Sequence, residues 1–134
     1  IIKMAEERVG KLKNKKIAVL GLAFKPDTDD VRESRSEIVI NDLIKKKAKV
    51  ICHDPEAMEN FKEIIDVPLA DSVKEATKDA DCVIFMTEWK EYRELNLEQL
   101  HENMKGNVII DGRRIFESNI MEKAGFDYKT IGLG

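Results

Sequence analysis

Five basic side chains, Lys25, Arg32, Arg35, Arg113 and Arg114, stand in two short stretches of a 134-residue chain whose net charge is −3. A guanidinium fork matches phosphate oxygens two at a time, and an ammonium supplies a compact point charge. Gathered around one crevice, such a set would grip a phosphorylated ligand. Three of the five lie between Ala23 and Arg35, about a dozen residues where an α/β connection normally takes roughly 2–6. A loop that long, leaving a buried strand, usually carries function. The same stretch has a plainer reading. Lys16, Lys25, Arg32 and Arg35 face Asp27, Asp29, Asp30, Glu33 and Glu37, which suits ordinary local ion pairs. Sequence alone leaves both open.

Other chemistry has less support. Asp27, Asp29 and Asp30 are hard-cation ligands by type, but three carboxylates beside arginines are more often solvated or paired, and no metal is expected. The Gly21-Leu22-Ala23 turn lacks the second and third glycines of G-x-G-x-x-G, so a dinucleotide pyrophosphate has no close approach here. Cys52 and Cys82 each sit inside an apparent strand and read as buried reduced thiols in a reducing cytosol. His53, beside Asp54 at a strand end, reads as structural. Trp89, the sole tryptophan, reads either as core or as a cover for a ligand.

The elements that must position these groups follow from apolar spacing. Ile17–Leu22 is a run of branched residues with a glycine near its end, as in a strand buried on both faces. Ser36 is placed to cap a helix with an apolar face of Val39, Ile40, Leu43 and Ile44, closed by Lys45, Lys46 and Lys47. Lys49–His53 is a second strand. Asp54-Pro55 starts a helix with Ala57, Met58, Phe61, Ile64 and Ile65 inward. Val67–Leu69 is a short third strand. Ser72-x-x-Glu75 is a capping box, with Val73, Ala76 and Ala80 inward. Cys82–Met86 is a fourth strand, Asn96 caps a helix that Gly106 ends, and Val108–Ile110 is the fifth. A helix around Glu117–Lys123 leads to a last strand at Tyr128–Ile131. This alternation predicts an α/β, doubly wound (Rossmann-like), mostly parallel sheet of five to six strands with helices on both faces. With strand order 3-2-1-4-5-6, ligands bind where the order reverses. Three loops converge there: Phe24–Arg35, Thr87–Tyr92 and Asp111–Arg114.

Ile2, Ala5, Val9 and Leu12 form one apolar stripe on an uncapped helix. Residues 1–14 therefore read as the end of a longer helix and the chain as a fragment, with 15–134 as one domain. An acidic balance gives a nucleic-acid partner no electrostatic support. No apolar run reaches the ~18–20 residues of a membrane span.

GLAFKPDTDDVRES, followed by TEW and DGRR, resembles the C-terminal UDP-binding domain of the UDP-glucose/GDP-mannose dehydrogenase family, from about Lys15 to Gly134. F-K-x-x-T-D-D-x-R-E-S carries most of the likeness, and the T-E-W and D-G-R elements point to its UDP-glucose 6-dehydrogenase branch. Such enzymes oxidise UDP-glucose to UDP-glucuronate in two hydride transfers to NAD. The resemblance implies that Phe24, Lys25 and Arg113 contact the UDP-sugar, and that Arg32 reaches the NAD phosphates across the domain cleft. It implies no catalytic residue here, since the family's nucleophilic cysteine and NAD-binding domain lie upstream. It further implies a cytoplasmic homodimer in which residues 1–14 end the inter-domain helix, and an isolated domain with no turnover. Arg35 departs from the pattern, because proline often follows R-E-S.

Two other classes and two sister activities remain open at this point. A flavodoxin-like phospho-acceptor domain would want acids at the first strand's end and a lysine after the fifth, where Arg113 stands. A structural dimerisation module would use the Ile2–Leu12 stripe. GDP-mannose and UDP-N-acetylmannosamine dehydrogenases share much of the first motif.

Overall fold

The fold is that of a computed structural model, which describes residues 1–32 and 34–131. Five strands form one wholly parallel sheet: β1 (Lys16–Leu20), β2 (Lys49–His53), β3 (Cys82–Phe85), β4 (Val108–Asp111) and β5 (Asp127–Thr130), in the order β2-β1-β3-β4-β5. β1, β3 and β4 are apolar almost throughout and buried on both faces, as strands sandwiched between helix layers must be. The helices are α1 (Ile2–Val9), α2 (Ser36–Lys45), α3 (Met58–Lys62), α4 (Val73–Thr77), α5 (Lys90–Arg93), α6 (Leu97–Asn103) and α7 (Ser118–Lys123). α2 packs on β2 and touches α1, which lies over β4, while α4 packs on β1, β2 and α6. Right-handed crossovers running outward in opposite directions from β1 and β3 put the two groups on opposite faces.

Register decides where function sits. Leu20 is level with His53 on one side and Phe85 on the other, and Phe85 is level with Asp111. The chain therefore leaves β1, β3 and β4 at the same height, and their loops emerge side by side. The reversal of strand order between β1 and β3 is the place foreseen from sequence.

Several expected details shift. Val67–Leu69 is not a strand but a single bridge, Cys52 to Leu69, on the outer side of β2. Pro68 has no N–H to give; its carbonyl accepts from Cys52 N at 3.0 Å, and the ladder stops. Ser36 does not cap α2 but is its first residue, because its hydroxyl donates to Gly21 O at 2.7 Å. Asp54-Pro55 opens a turn, and α3 begins only at Met58. Ile44 and Ile64, read as inward, are 42% and 40% exposed. α1 ends at Val9, where Gly10 turns at φ 89°, and Leu12 is buried from the loop that follows. The short α5 carried no clear sequence signal. Ser72 and Asn96 do cap their helices, accepting from Glu75 N and Gln99 N at 3.0 Å each.

Cys52 and Cys82 are fully buried and unpaired in disulfides, and burial pushes both thiols up to about 12. Neither is a nucleophile at neutral pH. His53 is structural as well. Its Nδ1 and the Tyr92 hydroxyl share a 3.0 Å hydrogen bond, and that hydroxyl also donates to the His53 carbonyl. Burial lowers its pKa from the ordinary 6.5, against the opposing pull of Glu91, Asp54 and Asp71. The unfolded chain thus takes up a proton at a pH where the folded one does not, so stability present above 6.5 is lost as pH falls below it. Urea titrations at neutral and mildly acidic pH should show a smaller acid loss for His53→Gln than for the wild type. Equal losses would exclude His53 as the cause.

Candidate functional site

The loops above β1, β3 and β4 are held together by two buried aspartates. Asp54, at the end of β2 and 0% exposed, receives five donors. One oxygen accepts from Leu22 N, Ala23 N and Trp89 Nε1 at 2.7, 2.9 and 3.1 Å, and the other from Glu56 N and Ala57 N at 2.8 Å each. One carboxylate therefore fixes the loops after β1, β2 and β3 relative to each other. It also decides the role of Trp89, which is buried and anchors its own loop through that hydrogen bond.

Asp111 does the same for the turn after β4. It accepts from Arg113 N at 2.9 Å, Ile115 N at 2.7 Å, Phe116 N at 3.1 Å and the Tyr128 hydroxyl at 2.6 Å. Gly112 follows because a Cβ there would come within 3.0 Å of the Phe85 carbonyl. The turn so formed presents Arg113. Its Nε donates to Met86 O and a terminal nitrogen donates to Phe24 O, both at 3.0 Å. One guanidinium thus ties the loop after β4 to those after β3 and β1.

Beside it opens a cavity of about 810 Å³. Phe24, Arg35, Arg113 and Arg114 line it together with Glu88, Asp42 and an apolar wall that includes Ile1, Ile38 and Met86. Lys25 is exposed on the residue next to Phe24, with its ammonium 5.5 Å from the centre of the Phe24 ring. Phe24 N donates to Asp30 O at 3.0 Å and closes the loop on itself. Arg32 lies at that closure and not on the cavity wall. Its Nε and a terminal nitrogen grip the Asp30 carboxylate at 3.0 and 2.9 Å, and this holds the Asp30 pKa down at about 2.

Of the five cations picked from sequence, the fold thus gathers Arg35, Arg113 and Arg114 on one cavity, seats Lys25 against its Phe24 wall, and pairs Arg32 with Asp30. The ion-pair reading holds for Arg32. Glu33, named with that reading, lies outside the described residues, as do 132–134. Among the described residues no three His, Cys, Asp or Glu side chains come together as a metal group. Asp54 and Asp111 were not singled out as loop anchors: Asp54 draws three of its five donors from the loops after β1 and β3, and Asp111 draws its donors from the turn that follows it and from Tyr128 on β5. The apolar wall from Ile1 and Ile38 was also missed; the N-terminal stripe was its one faint signal.

The model of the UDP-glucose/GDP-mannose dehydrogenase family, UDP binding domain, matches residues 18–118, from β1 through every loop of this site. The chain belongs to that family. A UDP-glucose 6-dehydrogenase of Rhizobium meliloti is 40% identical over 124 residues, covering 92% of this chain and 28% of that protein. One from Haloferax volcanii is also 40% identical, over 121 residues, covering 90% and 27%. Among solved structures, a UDP-glucose dehydrogenase from Pyrobaculum islandicum superposes with a TM-score of 0.79 at 34% identity, covering 98% of this chain and 28% of that one. An NDP-N-acetyl-D-galactosaminuronic acid dehydrogenase from Methanosarcina mazei gives 0.82 at 32%, covering 97% and 27%. The chain therefore spans little more than a quarter of the relatives it matches. Family membership also answers the phospho-acceptor alternative; among the described residues the aspartates that end or follow strands β2 and β4, Asp54 and Asp111, are both fully buried.

Proposed function

We propose that this chain is the substrate-nucleotide half of an NAD-dependent UDP-glucose 6-dehydrogenase, the enzyme that converts UDP-glucose to UDP-glucuronate. The observation that carries the reading is Arg113, locked by two carbonyls onto the wall of a strand-end cavity that Phe24, Arg35 and Arg114 share. Its fixed guanidinium meets a diphosphate without first being ordered, which is where remote binding energy is best invested. Phe24 offers a ring face and Lys25 a charge beside it. Binding the nucleotide end orients the sugar toward a partner domain that carries the redox chemistry. NAD, when bound, accepts the hydride. The single-glycine turn at Gly21 has no room for a dinucleotide, so what this chain offers NAD is a phosphate contact from the outward-facing Arg32, shared with Asp30. In this reading α1, Ile2–Val9, belongs to the helix that joins the two domains of a cytoplasmic homodimer. The chain alone turns nothing over.

Titration calorimetry with UDP tests the reading. Binding should be weak, about millimolar, because half the cleft belongs to the partner domain. Lys25→Ala should weaken it by roughly tenfold, the loss of one charge-assisted contact. Asp29→Ala should leave it nearly unchanged. No heat at millimolar UDP, or equal effects of the two variants, would count against the assignment.

A further inference from the structure

The end of the sheet opposite the cavity has a different character. Residues 11–16 and 45–49 hold eight lysines and no acidic residue. The other 15 Lys and Arg are set against 26 Asp and Glu, so these two stretches carry +8 and the remainder of the chain −11. The fold joins them: Asn14 N donates to Lys47 O at 3.0 Å and Lys49 N to Lys15 O at 2.8 Å. Both connections turn through a left-handed residue other than glycine, Asn14 at φ 66° and Lys47 at φ 64°. Six of the eight lysines are exposed and Lys15 and Lys16 are half-buried. Among the described residues only Lys46 of the eight makes an ion pair, with Glu6 at 3.4 Å. Three lysines closing a helix satisfy its dipole; that effect does not extend to the five in and before β1 and β2.

We propose that this lysine pole docks the protein on an anionic lipid surface. The charge complementarity is that of a polybasic segment on phosphate-bearing headgroups, worth several-fold in partition for each lysine near the surface. The cluster contains no arginine fork to read base edges and no aromatic side chain to stack on bases, so it holds nothing that would select a nucleic acid over another phosphate-bearing surface. It does flank Ile44, 42% exposed beside Lys45, an apolar side chain that suits the headgroup boundary and serves no purpose on a phosphate backbone. The absence of a long apolar helix among the described residues bears on spanning the bilayer, not on lying against it. Because the strands are parallel, the pole and the cavity sit at opposite strand ends, roughly 15 Å or more apart over five residues. Docking through the lysines leaves the cavity facing away from the membrane and open.

Sedimentation with vesicles tests this. The chain should co-sediment with phosphatidylcholine vesicles containing roughly 30% phosphatidylglycerol at low salt, not with phosphatidylcholine alone, and should be released as the Debye length shrinks at about 0.5 M salt. The triple variant Lys45→Gln, Lys46→Gln, Lys47→Gln should lose on the order of 100-fold in partition. The independent triple Lys11→Gln, Lys13→Gln, Lys49→Gln should lose a similar factor. A control triple at Lys3, Lys62 and Lys90, all exposed and away from this end of the sheet, should lose less than about threefold. Failure to bind anionic vesicles, equal binding to neutral ones, or equal losses in the control overturns the proposal. So does tighter binding to duplex DNA than to anionic vesicles at matched salt, which would make the pole a nucleic-acid surface.

Discussion

Asp54→Ala should remove most of the stability of this domain. It strands four backbone N–H groups and the Trp89 indole N–H, all grouped around a site that is 0% exposed. Each buried donor left without a partner costs about 1–3 kcal/mol. Even if water reaches some of them, the loss should be at least about 4 kcal/mol, against a total of about 5–15 for a domain of this size. Urea unfolding followed by Trp89 fluorescence reads it directly, since the tryptophan is one of the orphaned donors. Asp66→Ala, on an exposed carboxylate, should stay within about 0.5 kcal/mol of the wild type. An Asp54→Ala variant as stable as the Asp66→Ala control would mean that the three loops are fixed by something other than this carboxylate.

Gly21→Ala should come next. The residue turns at φ 106°, a conformation that L side chains rarely adopt, and a Cβ there would lie 2.5 Å from Thr87 N and 2.6 Å from Thr87 Oγ1. Strain at the dihedral costs about 1–3 kcal/mol and overpacking about 1–3 more. The clash is with backbone, so relief requires that the loops after β1 and β3 move apart. Thr87, whose hydroxyl donates to Ala23 O at 2.7 Å, would be displaced with them. The expected result is a loss of roughly 2–6 kcal/mol together with weakened UDP binding in whatever fraction remains folded. Thermal unfolding with and without UDP separates the two effects. A variant within about 1 kcal/mol of the wild type would show that Gly21 is there for no packing reason.

These two positions also mark the boundary of what the sequence discloses. The sheet was legible because β1, β3 and β4 are short apolar runs of branched residues, and because the rules of connection allow few strand orders. The caps at Ser72 and Asn96 were legible because their partners lie three residues away. What escaped was set by partners far along the chain. Asp54 does cap the turn that follows it, through Glu56 N and Ala57 N, but it is also bound from 31 and 35 residues away, by Ala23 and Trp89, and its local look as a helix start disclosed nothing of that. Ser36 was diverted from capping by a carbonyl 15 residues back. Arg113 carried a motif, but nothing local revealed that the carbonyls of Met86 and Phe24, 27 and 89 residues distant, would aim it. Pro68 did carry a warning, since a strand assignment through a residue with no N–H is always exposed to this failure.

Three strand-end turns forming one nucleotide site is the central claim, and amide NMR during a UDP titration addresses it most directly. Shift changes should concentrate at Phe24, Lys25, Gly112 and Arg113 and in the loop that follows β3, fading toward the lysine pole and the α4–α6 surface. Saturable changes centred on either of those distant surfaces, with the strand-end turns unmoved, would contradict it.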